Sequence, residues 1–274
     1  EPIFIPESKV FLTPEEDDLT NEYLRKGFVI RASNDKASLE WIRQTVFDLS
    51  KAILEDTSDD AAHDWLNKIH NQVPVSELND FRVRLIHAIN EDVELRVNYY
   101  RVARALLDPI VGNELAMQMR VNLSIQYPDD ASSLLPIHAD VWSGDSPFEV
   151  VVWIPLVDCF KTKSMFLLPP KETEELHSRF AEFRNKTDED IFREYEEKMM
   201  WSEIKYGEVL LFNQNLPHGN RVNRELETRW SLNCRFKSIL SPYGDKKLGE
   251  FFEPITMRAA TRIGIKYDLP GAKP

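Results

Sequence analysis

The sequence has few cysteines and none of the long apolar runs that mark membrane proteins. Its two cysteines, Cys159 and Cys234, lack metal-ligand spacing, and a chain of 274 residues does not need a disulfide to be stable. We therefore expect both to be reduced strand residues. No apolar run approaches the roughly 18 residues of a membrane span, and no charged and then apolar leader is visible. These absences predict a cytoplasmic protein without a membrane span.

Basic charge is also scarce. The sequence has 34 Lys and Arg residues against 46 Asp and Glu residues, a net charge of −12, which argues against nucleic acid or an anionic membrane surface as a partner. The distribution is uneven, because five Arg and Lys residues stand against two Glu residues between Pro217 and Lys237. This locally basic stretch suggests that the molecules bound near it are anions.

Two hydrophobic periods divide the chain. Up to Asp108, apolar residues recur mainly at the three- and four-residue spacing of amphipathic helices, clearest over residues 35–55 and again after Ser76, a candidate N-cap. From Met117 to Tyr127, apolar and polar residues alternate, which predicts a strand with one face of each kind. Short apolar runs separated by turns follow. Together they predict a mainly β protein with a helical N-terminal part, a jelly roll flanked by helices.

We expect one domain over residues 1–274, because β-barrels of this size commonly stay single. The first 32 residues, rich in proline and acids, resemble a surface arm with a short edge strand. The expected parts are helical support at 1–116, a jelly-roll core at 117–240 with a helical insert at 171–200, and a C-terminal tail at 241–274 packed on the core.

A candidate metal site begins at Pro136-Ile-His-Ala-Asp-Val-Trp142. In an extended segment, residues i and i+2 point to the same side, so His138 and Asp140 would share one space. His218 follows a later apolar run. Two histidines and one carboxylate with open coordination positions form the facial triad of non-haem Fe(II) oxygenases. The sequence therefore predicts His138, Asp140 and His218 as metal ligands, with no further catalytic residue.

Arg229 and Ser231 are two residues apart on a predicted strand that follows His218. A guanidinium pairs bidentately with a carboxylate and stays charged when buried. A 2-oxoacid such as 2-oxoglutarate would bind Fe(II) at one end, and its far carboxylate would need such a cation at the other. We therefore predict Arg229 and Ser231 as cosubstrate ligands, with further donors from Asn122 and Gln126 on the polar face of the strand at 117–127.

The order of these motifs resembles a known family. His-x-Asp, then His, then Arg-x-Ser is similar to the Fe(II)- and 2-oxoglutarate-dependent oxygenases, whose fold is a double-stranded β-helix. Residues 138–149, 212–219 and 228–233 also resemble a branch from bacterial carbohydrate and aminoglycoside biosynthesis clusters. The resemblance implies Fe(II), 2-oxoglutarate and O2 as cofactors, with formation of succinate and CO2. Related halogenases lack the carboxylate ligand, so Asp140 favours hydroxylation or desaturation.

The substrate is less determined by the sequence. We expect a small polar substrate that is derived from a sugar and can carry a negative charge. The apolar C-terminal tail could pack on another subunit, so a homo-oligomer is one expectation. The loop after Asp140 has small polar residues and one tryptophan that suit a sugar, and basic residues downstream could reach an anionic group. The residues predicted to contact substrate are Trp142, Ser143, Asp145, Lys163, Arg221 and Asn233.

Two alternatives stay open at this point. A cupin-like metal-dependent sugar-modifying enzyme would use the same three ligands without 2-oxoglutarate and would leave Arg229 as a structural ion-pair residue. A non-catalytic carbohydrate-binding jelly roll would keep the fold with a vestigial site. Succinate formation separates the first from an oxygenase, and the effect of Asp140→Ala on ligand affinity and metal content tests the second.

Overall fold

The computed structural model describes residues 11–268, and helices dominate the first hundred of them. The N-terminal helices are α1 (Pro14–Lys26), α2 (Lys36–Leu54), α3 (Ala62–Lys68), α4 (Val75–Glu91) and α5 (Val93–Ile110). The helical N-terminal part is thus confirmed. No helix within 11–268 is both long enough and apolar enough to cross a membrane.

Helix α1 corrects the expectation of a surface arm, of which residues 1–10 lie outside the described part. Thr13 and Glu16 form a reciprocal capping box, and Pro14 occupies the first helical turn. Gly27 ends the helix in the left-handed conformation at φ 76°. These local signals were present in the sequence, but only Leu19 of this helix is buried, so the apolar period was too weak to indicate it.

The other helices follow their patterns with two differences. Helix α4 begins at Val75, one residue before the expected cap at Ser76, and it buries the four residues whose spacing predicts its apolar face: Leu78, Phe81, Leu85 and Ile89. Helix α5 is a separate helix, capped by Asp92. The sequence pattern predicts an apolar face at Val93, Val97, Tyr100 and Leu107, but of these four only Leu107 is buried, and the helix buries Leu95 and Tyr99 instead.

The remaining chain forms two antiparallel sheets and three short helices. The strands are β1 (Phe28–Ala32), β2 (Leu115–Gln118), β3 (Asn122–Gln126), β4 (Glu149–Pro155), β5 (Phe166–Leu167), β6 (Met200–Trp201), β7 (Glu208–Asn213), β8 (His218–Gly219), β9 (Arg229–Ser238) and β10 (Phe252–Pro254). The larger sheet has the order β1-β7-β4-β9-β2-β10, with β3 also paired to β9, and the smaller has the order β6-β5-β8. Both sheets contribute to one cavity, as expected of a jelly roll.

The larger sheet has one face toward the helices and one toward the cavity. On the helical side, the Tyr99 hydroxyl donates to the Val152 carbonyl at 2.7 Å, and the Trp230 indole donates to the Leu66 carbonyl at 2.8 Å. The nearly continuous apolar run of β4 is explained by this arrangement, because all seven of its residues are buried. The helices therefore act as a rigid backing for the sheet that carries the site.

The strand expected at 117–127 is divided into β2 and β3. Met117 pairs with Phe236 and Asn122 with Asn233, so five steps along one strand match three along β9. The surplus residues form a bulge, and the side chain of Asn90 from α4 satisfies the Val121 backbone through bonds of 2.8 and 3.0 Å. The bulge lets both strands share β9.

Two helices, α6 (Pro170–Ser178) and α7 (Asp188–Tyr195), lie between β5 and β6, where the sequence predicted an insert. Their apolar residues join Phe166 in a buried cluster of their own, separate from the main core. After β9, the chain returns to pair β10 with β2 and ends its described part with α8 (Ala259–Gly264). Phe252 of β10 is fully buried.

Candidate active site

The structure brings His138, Asp140 and His218 together. The backbones of His138 and His218 exchange two hydrogen bonds, of 3.0 and 2.8 Å, as directly opposite residues of an antiparallel pair. Opposite residues present their side chains to the same side, and the two ring centroids are 4.4 Å apart. Asp140 follows at i+2, where the chain turns into a short 3-10 segment, and its Oδ1 lies 3.7 Å from His138 Nε2. The candidate ligand atoms all lie within 4.8 Å of one another.

Both imidazoles are held in the form that binds metals. Nδ1 of His138 lies 2.9 Å from the Pro136 carbonyl, and Nδ1 of His218 lies 2.9 Å from the Leu216 carbonyl. A carbonyl can only accept, so each Nδ1 carries the hydrogen and each Nε2 keeps its lone pair free for a metal. Burial and the neighbouring His138 lower the pKa of His218 to about 4, so this ring is neutral at pH 7.

Asp140 is held by Arg235 from strand β9. Arg235 Nη2 lies 2.8 Å from Asp140 Oδ1, and Arg235 Nε donates to Oδ2 at 3.3 Å. Burial acts to raise the pKa of Asp140, but the attraction of Arg235 and of the two histidines outweighs it, so the pKa is lowered. The carboxylate is therefore ionised at pH 7 and fixed in direction beside the two imidazoles.

The three residues line one end of a cavity of about 430 Å³. Strand β9 supplies a row of alternate side chains along its length, Arg229, Ser231, Asn233 and Arg235, all facing the cavity. The register places Asn122 beside Asn233, and Ser124 beside Ser231. The row therefore begins beside Asp140 of the candidate metal site with Arg235 and ends away from it with Arg229.

Arg229 is a buried cation without an anionic partner. It is 3% exposed, its Nη2 donates to the Ser124 hydroxyl at 2.8 Å, and its Nη1 donates to the Ser164 carbonyl at 3.0 Å. No Asp or Glu of the described chain lies within 4.0 Å of it, and its Nε has no acceptor. Burial lowers its pKa to about 10, so it stays charged at pH 7. The buried Ser231 hydroxyl also lacks a partner.

The other two predicted cosubstrate ligands differ in position. Asn122 lines the cavity and donates to Asn233 at 2.9 Å, which places the predicted substrate residue Asn233 in the cavity too. Gln126 does not line the cavity. Its side chain is fully buried and donates to the Arg221 carbonyl, which ties β3 to the loop before β9.

The remaining predicted substrate residues lie outside the cavity lining, each with other partners. The Lys163 ammonium is fully buried between Asn67 and Glu227, at 2.7 and 2.6 Å, and Arg221 pairs with Glu189 of the insert at 2.6 Å. The Trp142 indole donates to His177 at 3.0 Å, and the neighbouring Ser143 belongs to the same 3-10 segment. Asp145 is buried in contact with Lys246 at 2.6 Å. We therefore leave these five residues out of the proposed site.

Two cavity residues were not predicted in the roles that the structure indicates. Arg235 is one of the basic residues downstream of Asp140 that could reach an anionic group, but in the structure it holds Asp140. Its place two residues beyond Asn233 in the alternating row is the sequence signal for its position. Arg82 reaches the cavity from α4. No sequence pattern indicates this contact, because α4 is about forty residues before β3 and packs mainly through its apolar face.

Comparison with known proteins was made through the fold. No family model matches the chain, and no curated protein sequence does. Among solved structures, the chain is similar to ThoJ, a non-haem monooxygenase in a nickel complex, at 17% identity over 94% of this chain and 89% of that one, with a TM-score of 0.51. SnoK, a non-haem α-ketoglutarate-dependent carbocyclase from nogalamycin biosynthesis, is similar at 16% identity over 92% and 100%, with a TM-score of 0.53.

HygX from Streptomyces hygroscopicus, solved with nickel and 2-oxoglutarate bound, is similar at 14% identity over 85% of this chain and 89% of that chain, with a TM-score of 0.50. Each match extends over most of both chains, helices included, so it concerns the whole architecture. At such low identity the likeness establishes architecture rather than chemistry. The chain therefore shares the jelly-roll fold, with its helical support, of these three solved structures.

Proposed function

We propose that this protein is an Fe(II)- and 2-oxoglutarate-dependent oxygenase that oxidises a C–H bond of a small polar substrate. The observation that carries the proposal is the arrangement of one cavity. A cluster of two histidines and one carboxylate stands at one end, and a buried, unpaired guanidinium stands further along the same strand row. Such a pair of sites suits a bound ion and a dicarboxylate that reaches from it to the guanidinium.

The ligand atoms suit Fe(II). Two neutral imidazole nitrogens and one carboxylate oxygen are the donor set of non-haem iron sites with open positions. The Nδ1 hydrogens of His138 and His218 are held by carbonyls, and Asp140 is held by Arg235, so each donor is oriented before an ion arrives. The fold neighbours ThoJ and HygX, both solved with nickel, support a metal at this place.

The residues at the other end suit the far carboxylate of 2-oxoglutarate. Arg229 Nε and the Ser231 hydroxyl are buried donors without acceptors, and a buried cation without a counter-ion is unfavourable unless a ligand supplies the anion. HygX, with 2-oxoglutarate bound, supports this cosubstrate. When bound, Fe(II), 2-oxoglutarate and O2 together supply the oxidation of a C–H bond, with release of succinate and CO2.

The protein's own part is to bind, orient and exclude water. His138, Asp140 and His218 hold the ion, Arg229 and Ser231 hold the cosubstrate, and no side chain is needed as a general base. Four apolar side chains also line the cavity and would exclude water from part of it: Val151, Trp153 and Phe212 of the larger sheet, and Met165 just before β5. Burial of this kind strengthens every charge interaction in the site.

We propose hydroxylation of a sugar-derived molecule as the specific reaction. Serine and asparagine side chains in the cavity lining suit a hydroxylated substrate: Ser124, Ser132, Ser133, Asn122, Asn220 and Asn233. ThoJ is a monooxygenase and SnoK a carbocyclase, so ring closure is the competing outcome that product analysis would identify. We also propose a single domain, because one hydrophobic core joins residues of the helices and of the larger sheet.

The cupin-like alternative is less well supported. It required Arg229 to be a structural ion-pair residue, and no carboxylate of residues 11–268 lies within 4.0 Å of this guanidinium. The test is direct. Protein reconstituted with Fe(II) under air and given 2-oxoglutarate should release succinate and CO2 in equal amounts, faster when a substrate is present. Metal binding without any succinate, across a panel of neutral and acidic sugars, would favour the alternative instead.

A further inference from the structure

The cavity holds a second cation that the proposed cosubstrate does not use. Arg82 of α4 lines the cavity, although its neighbour Phe81 packs against Trp230 on the opposite face of the sheet. Strand β3 pairs with β9 along one edge, and α4 contacts β3, so Arg82 enters the cavity past this strand. The side chain is partly buried, and its Nε is buried without an acceptor.

The acidic residue that acts on Arg82 is engaged elsewhere. Asp130 is buried and accepts from the Ser132 backbone at 2.9 Å, from the Ser132 hydroxyl at 2.6 Å and from the Ser133 hydroxyl at 3.4 Å. It does not come within 4.0 Å of the Arg82 guanidinium, and no other Asp or Glu in the described chain does. Asp130 therefore shapes the loop at the cavity wall and attracts Arg82 without pairing with it.

The surroundings of Arg82 hold donors in excess of acceptors. The buried Tyr127 hydroxyl, close enough for the charge of Arg82 to act on it, has no hydrogen-bond partner either. Burial lowers the pKa of Arg82, and the attraction of Asp130 opposes this only in part. A guanidinium that faces a cavity and has an unpaired Nε is suited to an oxyanion, which can accept from two N–H groups at once.

Arg229 and Arg82 have different places in the cavity wall. Arg229 stands on β9, whereas Arg82 enters from helix α4 and is attracted by Asp130, whose partners Ser132 and Ser133 also line the cavity. One dicarboxylate that binds the metal has a single free carboxylate, so it can neutralise one of the two cations. The other cation then remains available for an anion of a different molecule.

We propose that Arg82 binds a carboxylate or phosphate group of the substrate and so restricts this enzyme to anionic small molecules. The inference rests on the proposed function, since it takes Arg229 as the cosubstrate ligand. It assigns specificity to a helix residue that lies outside the sheet carrying the metal ligands.

Inorganic phosphate serves as the probe. Full-length protein is loaded with Co(II) in place of Fe(II) and with 2-oxoglutarate, and the ³¹P relaxation rate of phosphate is measured. Because paramagnetic relaxation acts only close to the metal, phosphate bound in this cavity should relax faster than phosphate with the Zn(II)-loaded protein. Arg82→Gln should lower the enhancement at least fivefold. Arg84→Gln is the matched control, an exposed arginine on the same helix, and should leave it unchanged.

Competition identifies the class of anion. Glucuronate or glucose 6-phosphate should displace phosphate, and the more effective of the two distinguishes a carboxylate from a phosphate ester, whereas glucose should not displace it. No relaxation enhancement in the parent, equal enhancement in Arg82→Gln, or equal displacement by glucose would overturn the inference.

A second measurement separates this inference from the proposed function. The half-saturating concentration of 2-oxoglutarate in Arg82→Gln should stay within twofold of the parent, because Arg229 and not Arg82 is the proposed cosubstrate ligand. A tenfold rise in that concentration would mean that Arg82 binds the cosubstrate. That result would overturn the inference about Arg82 without contradicting the proposed oxygenase function. Absence of succinate from the parent would contradict the proposed function, whatever the phosphate result.

Discussion

Arg229 and Arg235 stand on the same face of strand β9, yet their surroundings are opposite. Arg235 contacts Asp140 at 2.8 Å and Asp145 at 3.6 Å. Burial acts to lower its pKa, but these carboxylates, Asp140 first, outweigh burial and raise it. Arg229 has only a hydroxyl and a carbonyl as acceptors, and burial lowers its pKa to about 10.

This difference separates a buried charge that is paired within the protein from one that is paired only when a ligand binds. A paired charge in the interior is part of the structure, and removing one partner leaves the other uncompensated. An unpaired buried charge lowers the stability of the ligand-free protein and is favourable only when an anion joins it. Arg235 therefore holds the candidate metal ligand Asp140, whereas Arg229 has no counter-charge in the protein and is the residue that we propose to bind the cosubstrate.

The largest effect is expected when Asp140, the carboxylate that pairs with Arg235, is removed. Asp140→Ala should abolish succinate release and reduce metal content, because only two imidazoles remain as ligands. Arg235 keeps Asp145 and Gln214 as partners, so the variant should remain folded by circular dichroism. Asp60→Ala, which removes an exposed carboxylate, is the matched control and should keep parental turnover. Normal turnover in Asp140→Ala would end the proposed assignment of this ligand.

Replacing Arg235 or Arg229 by methionine should have different effects on the free energy of unfolding. In metal-free protein, Arg235→Met leaves Asp140 buried without its cation and should lower the free energy of unfolding by about 3–5 kcal/mol. Arg229→Met removes an unpaired charge and should change that free energy by no more than about 1 kcal/mol. Urea denaturation of both variants measures the difference. Equal losses would show that Arg229 has a structural partner after all.

Arg229 should matter little for stability but strongly for the affinity of the protein for 2-oxoglutarate. In Arg229→Gln the half-saturating concentration of 2-oxoglutarate should rise by roughly 30- to 5,000-fold, since losing a buried charge pair costs about 2–5 kcal/mol. Initial rates of succinate release at varied 2-oxoglutarate measure it. An unchanged value would remove Arg229 from the cosubstrate site.

The metal end should also show a pH dependence in the metal-free protein. His218 has a pKa of about 4 when folded against an ordinary value of 6.5, so its neutral form stabilises the fold. That contribution is present in full above pH 6.5 and is lost as pH falls toward 4, by about 3 kcal/mol in total. His218→Gln should flatten the pH dependence of unfolding in this window. His87→Gln, at an exposed histidine, should not.

The smallest effect is expected outside the cavity. Arg221 pairs with Glu189 on the insert, and both side chains are well exposed to solvent. Arg221→Ala should therefore change stability by less than about 1 kcal/mol and leave 2-oxoglutarate affinity within twofold. A large loss of turnover in this variant would mean that Arg221 contacts the substrate, as the sequence predicted.

Much of this architecture follows from local patterns that the sequence displays. The alternation along 229–237 predicts both the buried face of β9 and the polar row that lines the cavity. The i and i+2 rule brings His138 and Asp140 together although the chain leaves the extended form at Asp140. Helix α1 is the opposite case. Its capping residues are recognisable in the sequence, but only Leu19 is buried, so no apolar period indicates the helix.

The partners of basic side chains were not predictable in the same way. Lys163 is a lysine in a turn, and only the fold reveals that it is fully buried against Asn67 and Glu227. Arg82 is a polar position on an amphipathic helix, and its helix is placed beside β3 by contacts far away in sequence. Long flexible side chains reach several ångströms, so their partners depend on what the tertiary structure puts within that reach.

By itself, the sequence determined the helical N-terminal part and the jelly roll after it, the polar face of β9 and the identity of three metal-ligand candidates, because these depend on patterns along the chain. Only the tertiary structure decided which arginine is neutralised by the protein and which is left for a ligand. Charge pairing depends on distance through space, and the order of residues along a chain does not contain that distance until the sheets have closed around the cavity.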